Sequence, residues 1–205
     1  MNTLSPAEQD ALREMMNIAA GRAADAMARL FNIHIGIRVA EARVIEADTL
    51  LQYLRDEMGV IGSLVTQAFW GDLRGTAMLV LPREQTLALM QLLLYDKKQI
   101  PHISIEDESA LAEVGNILLS ACISTFVQQL NLRARFQLPR VILNLDVAQF
   151  DAYIKLDMRQ QPYQIVLLSS YFDFGDQQLE AYIAIALTLE MNDLLQALRA
   201  VLPPA

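Results

Sequence analysis

Cysteine is almost absent from the sequence, which contains one, Cys122, in a chain of 205 residues. A single thiol excludes an internal disulfide, and this suits a protein that works in a reducing compartment. The N-terminal segment Met1–Pro6 also lacks the basic and apolar stretches of a signal peptide. These absences predict a cytoplasmic protein.

Long apolar runs and an excess of basic residues are missing as well. Apolar runs such as Ala181–Leu187 are far too short to cross a bilayer, so no membrane span is expected. The net charge of -8 repels a phosphate backbone, so we expect no nucleic-acid partner. With 54% hydrophobic residues, the chain can nevertheless bury a sizeable core.

The sequence also lacks the common cofactor motifs. Its two histidines, His34 and His102, have no cysteine or carboxylate beside them at metal-ligand spacing. There is no nucleophile elbow, no phosphate-binding glycine loop and no dinucleotide-binding fingerprint. We therefore expect no metal site and no cofactor of the protein's own.

What the sequence does contain is an internal repeat, which appears when the chain is shifted by 99 residues against itself. The matching positions include Ser5 and Ser104, Leu12 and Leu111, Glu14 and Glu113, Asn17 and Asn116, and Ile18 and Ile117. No gap is needed across this stretch. Self-similarity at a fixed period indicates a duplicated structural unit.

The repeated stretches predict two long helices, at about 6–31 and 105–130. Ser5, Pro6 and Glu8 are typical of a capped helix start, and Ser104 and Asp107 repeat the pattern. After each helix we expect an extended stretch, a short helical piece, two strands joined at a Gly-Asp pair, and a closing helix. The ranges are Ile33–Ile45, Thr49–Asp56, Val60–Trp70, Leu73–Leu81 and Arg83–Leu94, then Pro139–Leu145, Ala148–Tyr153, Ile165–Phe172, Leu179–Leu189 and Glu190–Val201.

This order of elements predicts an α+β fold with pseudo-twofold internal duplication. One domain is expected to span residues 1–205 and to consist of two repeats, about 5–98 and 104–201, joined by a linker at Tyr95–His102. Each repeat exposes an apolar face that the other can cover. We therefore expect one antiparallel sheet with the two long helices packed over it.

A helical wheel places the repeated Glu and Asn on the outward face of each long helix. Leu12, Met15, Ala19, Ala26 and Leu30 form the expected buried stripe of the first helix. Glu14 and Asn17 lie opposite this stripe and are neighbours, because residues three apart share a helix face. The outward face continues through small residues, which would let another molecule approach closely. They are Gly21, Ala24 and Ala28 in the first helix and Ser120 and Ser124 in the second.

The repeated pattern is Asp or Ser, three residues, Glu, two residues and Asn. It reads Asp10-Ala-Leu-Arg-Glu14-Met-Met-Asn17 in the first helix and Ser109-Ala-Leu-Ala-Glu113-Val-Gly-Asn116 in the second. In this pattern the sequence resembles the CheC family of chemotaxis phosphatases. Two copies per chain resemble CheC itself more than CheX, which keeps one. The duplicated layout covers essentially the whole chain.

The resemblance implies a substrate, the aspartyl phosphate of a CheY-type response regulator. Asn17 and Asn116 would position the attacking water, and Glu14 and Glu113 would pair with the receiver's active-site Lys. Asp10, Ser109, Gly21 and Ser120 would contact the partner. The receiver would bring its own Mg²⁺, so no cofactor is needed here. A CheD-like deamidase is a further partner of relatives, and its docking region corresponds to the neighbourhood of Asp151.

One departure from the family pattern concerns the residue before each Asn. The family usually has Gly there, which Gly115 keeps and Met16 does not. We expect Met16 to crowd the approach to Asn17, which makes the second site the better one. Two other interpretations remain open: a binding module that holds a receiver or a CheD-like protein without hydrolysis, and a scaffold dimer.

Overall fold

The computed structural model describes residues 4–46, 49–50, 52–53, 61–94, 105–146, 148–150, 152–153, 164–188 and 190–201. Four helices are assigned, namely α1 (Pro6–Phe31), α2 (Arg83–Leu94), α3 (Ile105–Gln129) and α4 (Met191–Val201). The strands are β1 (Gly36–Glu46), β2 (Ile61–Gly71), β3 (Gly75–Pro82), β4 (Ala134–Phe136), β5 (Arg140–Leu143), β6 (Gln164–Phe174) and β7 (Gln177–Leu187). The described residues of 49–53 and 148–153 are helical.

All seven strands form one antiparallel sheet, as the sequence predicts. The strand order is β1-β6-β7-β3-β2-β4. The strand β5, which is off this path, also pairs with β2. The central hairpins β2–β3 and β6–β7 each turn at a glycine with positive φ, Gly71 and Gly175. Gly71 is required by close approach as well, because a Cβ atom there would lie 2.4 Å from the carbonyl oxygen of Arg133.

The sheet separates two hydrophobic cores. The larger core lies under all four helices and includes Leu12 and Met16 of α1, Leu118 of α3 and Leu198 of α4. The smaller core lies on the opposite face of the sheet, where Leu50 and Phe150 of the two short helical segments pack against it. Helices cover both faces, and this explains the near-continuous burial of the central strands.

The strand order is symmetric. Each strand of the first half has a counterpart in the second half at the same distance from the opposite edge of the sheet. The strand after each long helix pairs with the other half, since β1 joins β6 and the β4–β5 pair joins β2. Both long helices also end at an Asn in the left-handed conformation, Asn32 and Asn131, which lie 99 residues apart. These correspondences favour the duplication, which stays a prediction.

The helix boundaries agree closely with the sequence-based ranges, whereas two strand assignments differ. The first extended stretch begins at Gly36 rather than Ile33, which leaves His34 exposed ahead of the strand. The second, expected at Pro139–Leu145, is the strand β5, and the preceding strand β4 is not predicted; Leu138 between them is largely exposed. The linker at 95–102, the expected cap at Ser104 and Asp151 lie outside the described residues.

The apolar character of α3 bears on the expectation that no segment spans a membrane. By length and composition alone, Glu108–Gln129 could cross a bilayer. In this fold 56% of its most apolar window is buried inside the protein, as in the core helix of a globular domain.

Candidate functional site

The outward face of α1 carries a cluster of charged side chains. Asp10 and Glu14 are both well exposed, and Arg13 lies between them. Arg13 forms an ion pair with Asp10, and its Nη2 also donates to Glu14 Oε1 at 3.4 Å. The carboxylate of Glu14 therefore faces solvent as the sequence predicts, but it shares a cation with Asp10.

Asn17 lies one turn further along α1 and is held by the edge strand β1. Its Nδ2 donates to the carbonyl oxygen of Val39 at 3.3 Å, and its Oδ1 accepts from the Val39 N–H at 2.8 Å. The side-chain amide thus pairs with a backbone peptide as a neighbouring strand would. The contact lies at an irregularity in β1, where the register with β6 shifts between Val39 and Glu41.

On α3, Glu113 is exposed and Asn116 is partly buried. Among the described residues Glu113 has no ion pair, because Ala112 replaces the Arg found at the matching position of α1. Asn116 Oδ1 accepts a hydrogen bond from Gln67 Nε2 at 3.1 Å. The two Glu–Asn pairs are therefore held differently.

Gln67 is a residue of the site that the sequence interpretation missed. It lies on β2 and is almost fully buried. Its Nε2 also donates to the carbonyl oxygen of Gln137 at 3.0 Å, and its Oε1 accepts from Ser120 Oγ at 3.2 Å. Alternation along β2 places Gln67 on the same face as the core residues Val65 and Phe69. A polar residue in such an apolar series is the signal that could have identified it.

Each Asn thereby connects its long helix to the strand region that follows in the same half. Asn17 reaches Val39 directly, and Asn116 reaches Gln137 through Gln67. Residues 39 and 137 differ by 98, close to the repeat shift. Both also lie at interruptions of their strands, one at the shift in β1 and the other between β4 and β5. The asparagines therefore have a structural role in addition to any chemical one.

The remaining predicted partner contacts are divided between surface and interior. Gly21 is exposed, and a Cβ atom there would meet nothing within 4 Å, so this part of α1 is open to close approach. Ser109 is also exposed. Ser120 is only partly exposed, and its hydroxyl donates inward to Gln67 rather than pointing at a partner.

The helical wheel is wrong at two positions of α1. Ala24 was expected on the outward face and is buried, whereas Leu30 was expected in the core and is 53% exposed. The N-terminal part of the buried stripe is predicted correctly, since Leu12, Met15 and Ala19 are buried. The wheel assumes one buried face, whereas α1 packs against both β1 and α3, so a single apolar stripe does not describe its burial. Ile18, which is 54% exposed, adds an apolar contact point beside Asn17.

Met16 does not crowd Asn17, contrary to the sequence-based expectation. Its side chain is fully buried in the core, on the other side of α1 from solvent. At the matching place, a Cβ atom on Gly115 would lie 2.4 Å from Val65 Cγ1. The Gly–Met difference therefore sets how closely each helix packs on the sheet. It does not control access to the site.

The described residues contain no group of three or more His, Cys, Asp or Glu side chains arranged to hold a metal ion. On each of the two helix faces an exposed carboxylate lies next to a partly buried amide. Such an arrangement can bind a cation, donate and accept hydrogen bonds, and orient a water molecule.

Comparisons with known proteins agree with this arrangement. The CheC-like family profile matches residues 8–39, which include the first Glu–Asn pair. A curated relative, the CheY-P phosphatase CheC of Bacillus subtilis (strain 168), is 28% identical over 184 residues, and the match covers 86% of each chain. The chain is therefore similar to CheC-like proteins in sequence and in fold.

Solved structures with a similar fold include proteins named FliY and FliM. FliY of Thermotoga maritima matches with a TM-score of 0.75 and 18% identity, over 97% of this chain and 96% of that one. The FliM middle domain from H. pylori matches with a TM-score of 0.59 and 11% identity, over 95% and 99%. At these identities the likeness shows the fold alone. These comparisons show what the chain is similar to, and its role and reaction have to be argued from the site.

Proposed function

We propose that this CheC-like protein hydrolyses the aspartyl phosphate of a CheY-type response regulator. The observation that carries the proposal is the second Glu–Asn pair on α3. Glu113 is exposed without an ion pair among the described residues, and Asn116 has an amide nitrogen that no described residue occupies. The name of the B. subtilis relative, a CheY-P phosphatase, supports the same reaction.

The reaction asks little of the protein, because an acyl phosphate is already activated. What is needed is a water molecule held in line with the phosphorus, and an amide can provide one donor and one acceptor for this. Asn116 is proposed to hold that water, and Glu113 to pair with the receiver's active-site Lys. Glu14 and Asn17 are proposed to play the same parts on α1.

The metal belongs to the substrate in this proposal. Mg²⁺ bound by the receiver would neutralise charge on the phosphoryl group, so the CheC-like protein would need no cofactor of its own. Asp10, Ser109 and the open surface at Gly21 are proposed to contact the docked receiver. Ser120 is left out of this contact surface because its hydroxyl is used by Gln67.

The first site is proposed to be the weaker of the two. Val39 takes one N–H and one oxygen lone pair of the Asn17 amide, so Asn17 keeps one N–H donor for water or phosphate, whereas Asn116 keeps two. Glu14 also shares Arg13 with Asp10, which reduces its attraction for a Lys. The second site is therefore proposed to supply most of the activity, for a reason other than Met16.

A binding module without catalysis is the second candidate function. The observation that favours it is the pairing of Asn17, which a structural role alone would explain. The fold is also shared with the FliM middle domain. In this alternative the same surface holds a receiver or a CheD-like protein without hydrolysing the phosphate.

The deciding experiment measures phosphate loss from a phosphorylated CheY-type receiver, with and without the protein. We expect Asn116→Ala to remove most of the acceleration and Asn17→Ala to remove less. The double variant should reduce the rate to that of the receiver alone. A loss of about a hundred-fold at Asn116 is the scale expected for a water-positioning group.

Stability and binding controls separate chemistry from folding. Asn17→Ala leaves two Val39 backbone groups without their partner, so its urea unfolding must be measured alongside its activity. Arg22→Ala, at an exposed position of the same helix, is a matched control that should be active. If the wild-type protein binds the phosphorylated receiver without accelerating phosphate loss, the binding module is the correct function.

A further inference from the structure

We infer that Gln67 is a positioning residue that fixes the orientation of the Asn116 side-chain amide. The inference rests on the proposed function of Asn116 as the group that positions water. Gln67 does not reach the surface, since only 1% of it is exposed, so it acts through Asn116. Its three hydrogen bonds join β2, α3 and the stretch between β4 and β5.

A backbone carbonyl fixes the direction of the whole network. The Gln137 carbonyl oxygen can only accept, so the Gln67 atom 3.0 Å from it must be the donating Nε2. The same Nε2 lies 3.1 Å from Asn116, and an amide nitrogen that donates cannot also accept. The Asn116 atom facing it must therefore be Oδ1. Ser120 Oγ closes the network by donating to Gln67 Oε1 at 3.2 Å.

The consequence is a defined outward group at the second site. With Oδ1 turned toward Gln67, Asn116 presents its NH₂ group away from the network. No described residue accepts from this Nδ2. Two N–H donors and the remaining lone pair of Oδ1 are then available to a water molecule and a phosphoryl oxygen. A free amide would lose entropy when it adopts this orientation, whereas Asn116 is already held in it.

The first site lacks this arrangement. Val39 offers a donor and an acceptor, so it fixes the orientation of Asn17 equally well but takes one of its two N–H donors. Gln67 instead takes only the oxygen of Asn116. The hydrogen bonds of Gln67 therefore fix the orientation of the Asn116 amide and leave its donor group free, and this is the role that we assign to Gln67.

The test replaces Gln67 in a protein whose first site is disabled. Glu14→Lys is the parent, because Glu14 is exposed and the change leaves the Asn17–Val39 bonds intact. Adding Gln67→Glu removes both Nε2 donors while keeping the side-chain shape. A carboxylate can accept from Asn116 Nδ2, so the amide should rotate and turn its NH₂ inward. We expect kcat for phosphate loss from the receiver to fall about ten- to a hundred-fold, with KM changed by less than about twofold.

A second variant guards against failure of the first to fold. Ser120→Ala removes the hydroxyl that holds Gln67 Oε1 and leaves the donors of Gln67 in place. We expect a smaller loss of kcat, about two- to fivefold, again with little change in KM. Thr66→Val is the matched control. It lies beside Gln67 on β2 but bonds to Tyr153 on the other face of the sheet, so its kcat should equal that of the parent.

Non-additivity separates a positioning role from a merely structural one. When Gln67→Glu is added to Asn116→Ala in a protein whose first site is intact, the remaining activity should not fall further, because Gln67 acts only through Asn116. A general weakening of the fold would lower the rates of both backgrounds equally.

Two results would overturn the inference, and they differ. In the first result, the Glu14→Lys parent accelerates phosphate loss, and both Gln67→Glu and Ser120→Ala keep its full kcat. Gln67 then has no positioning role, and the proposed function stands. If the parent and the wild-type protein are both inactive toward the receiver, the proposed function fails and the inference fails with it.

Discussion

Gly115 shows how one missing side chain can set the geometry of a site it does not line. A Cβ atom at this position would lie 2.4 Å from Val65 Cγ1, so α3 can approach β2 as closely as it does only with Gly. That approach brings Asn116 within reach of Gln67 on the same strand. The residue before Asn116 thus acts through packing.

Gly115→Ala is therefore expected to lower both stability and activity. The added methyl group has to displace α3 or Val65, at a cost of about 1–3 kcal/mol for an overpacked core position. A shift of α3 would also lengthen the Asn116–Gln67 bond. Urea unfolding measures the first effect and receiver dephosphorylation the second. Adding Val65→Ala should recover part of the lost free energy of unfolding, whereas simple additivity of the two changes would contradict the packing explanation.

Sequence reasoning reached the exposed residues of the site better than the buried ones. Glu14 and Glu113 are exposed as predicted, because a repeat and a helix period are enough to place them. The partners of Asn17 and Asn116 could not be predicted in this way. Val39 is 22 residues from its Asn, and Gln67 is 49 residues from its own, so these contacts depend on how the strands pair.

Among the structural elements, α1 and α4 are joined at the surface by one charged contact. Arg199 Nε on α4 donates to Glu8 Oε1 at 2.7 Å, and Glu8 also caps α1 through Ser5. The Ser5 backbone N–H, followed by Arg199, lowers the pKa of the Glu8 carboxyl below its usual value. Glu8 therefore connects the beginning of the first helix to the last one.

Glu8→Gln is expected to destabilise the protein at neutral pH and to matter less in acid. A carboxyl whose pKa is lowered by folding adds stability above its unfolded-state pKa. That stability is lost as the pH falls through the folded value. The free energies of unfolding of wild type and variant should therefore differ at pH 7 and converge below the usual pKa of Glu. Glu46→Gln, at an exposed position of β1, is the control and should show no such convergence.

The secondary structure itself was predicted most accurately where the local sequence is decisive. The range Arg83–Leu94 of α2 is the same in sequence and structure, and α1 begins at its predicted cap. After α3 the sequence predicts one stretch, Pro139–Leu145, and the strand β4 before it is missed. β4 consists of three residues and is defined by its pairing with β2, which the local sequence does not reveal.

At the scale of the whole molecule, the two halves share one sheet and one main core. The edge strands exchange partners between halves, so neither half contains all the contacts of its own strands. Such an arrangement favours the predicted single domain of 1–205 over two domains that fold independently.

This predicts a single cooperative unfolding transition, and the chain carries one natural probe in each half. Trp70, the only tryptophan, is 40% exposed in the first half, and Cys122 is buried in the second. Burial raises the pKa of Cys122 to about 12, so the native thiol should resist thiol reagents at pH 8. In urea, tryptophan fluorescence and thiol labelling should change at the same midpoint. Two separated midpoints would show that the halves unfold independently.

The exchange of edge strands also affects how the protein is synthesised. Gly36 in β1 pairs opposite Asp173 in β6, which is translated 137 residues later. At roughly 5–20 residues per second, a ribosome needs about 7 to 27 seconds to deliver that partner. During this interval β1 does not have its partner β6, and an unpaired strand edge is a site of aggregation. We therefore expect chaperones to bind the nascent first half until the second half has emerged from the ribosome.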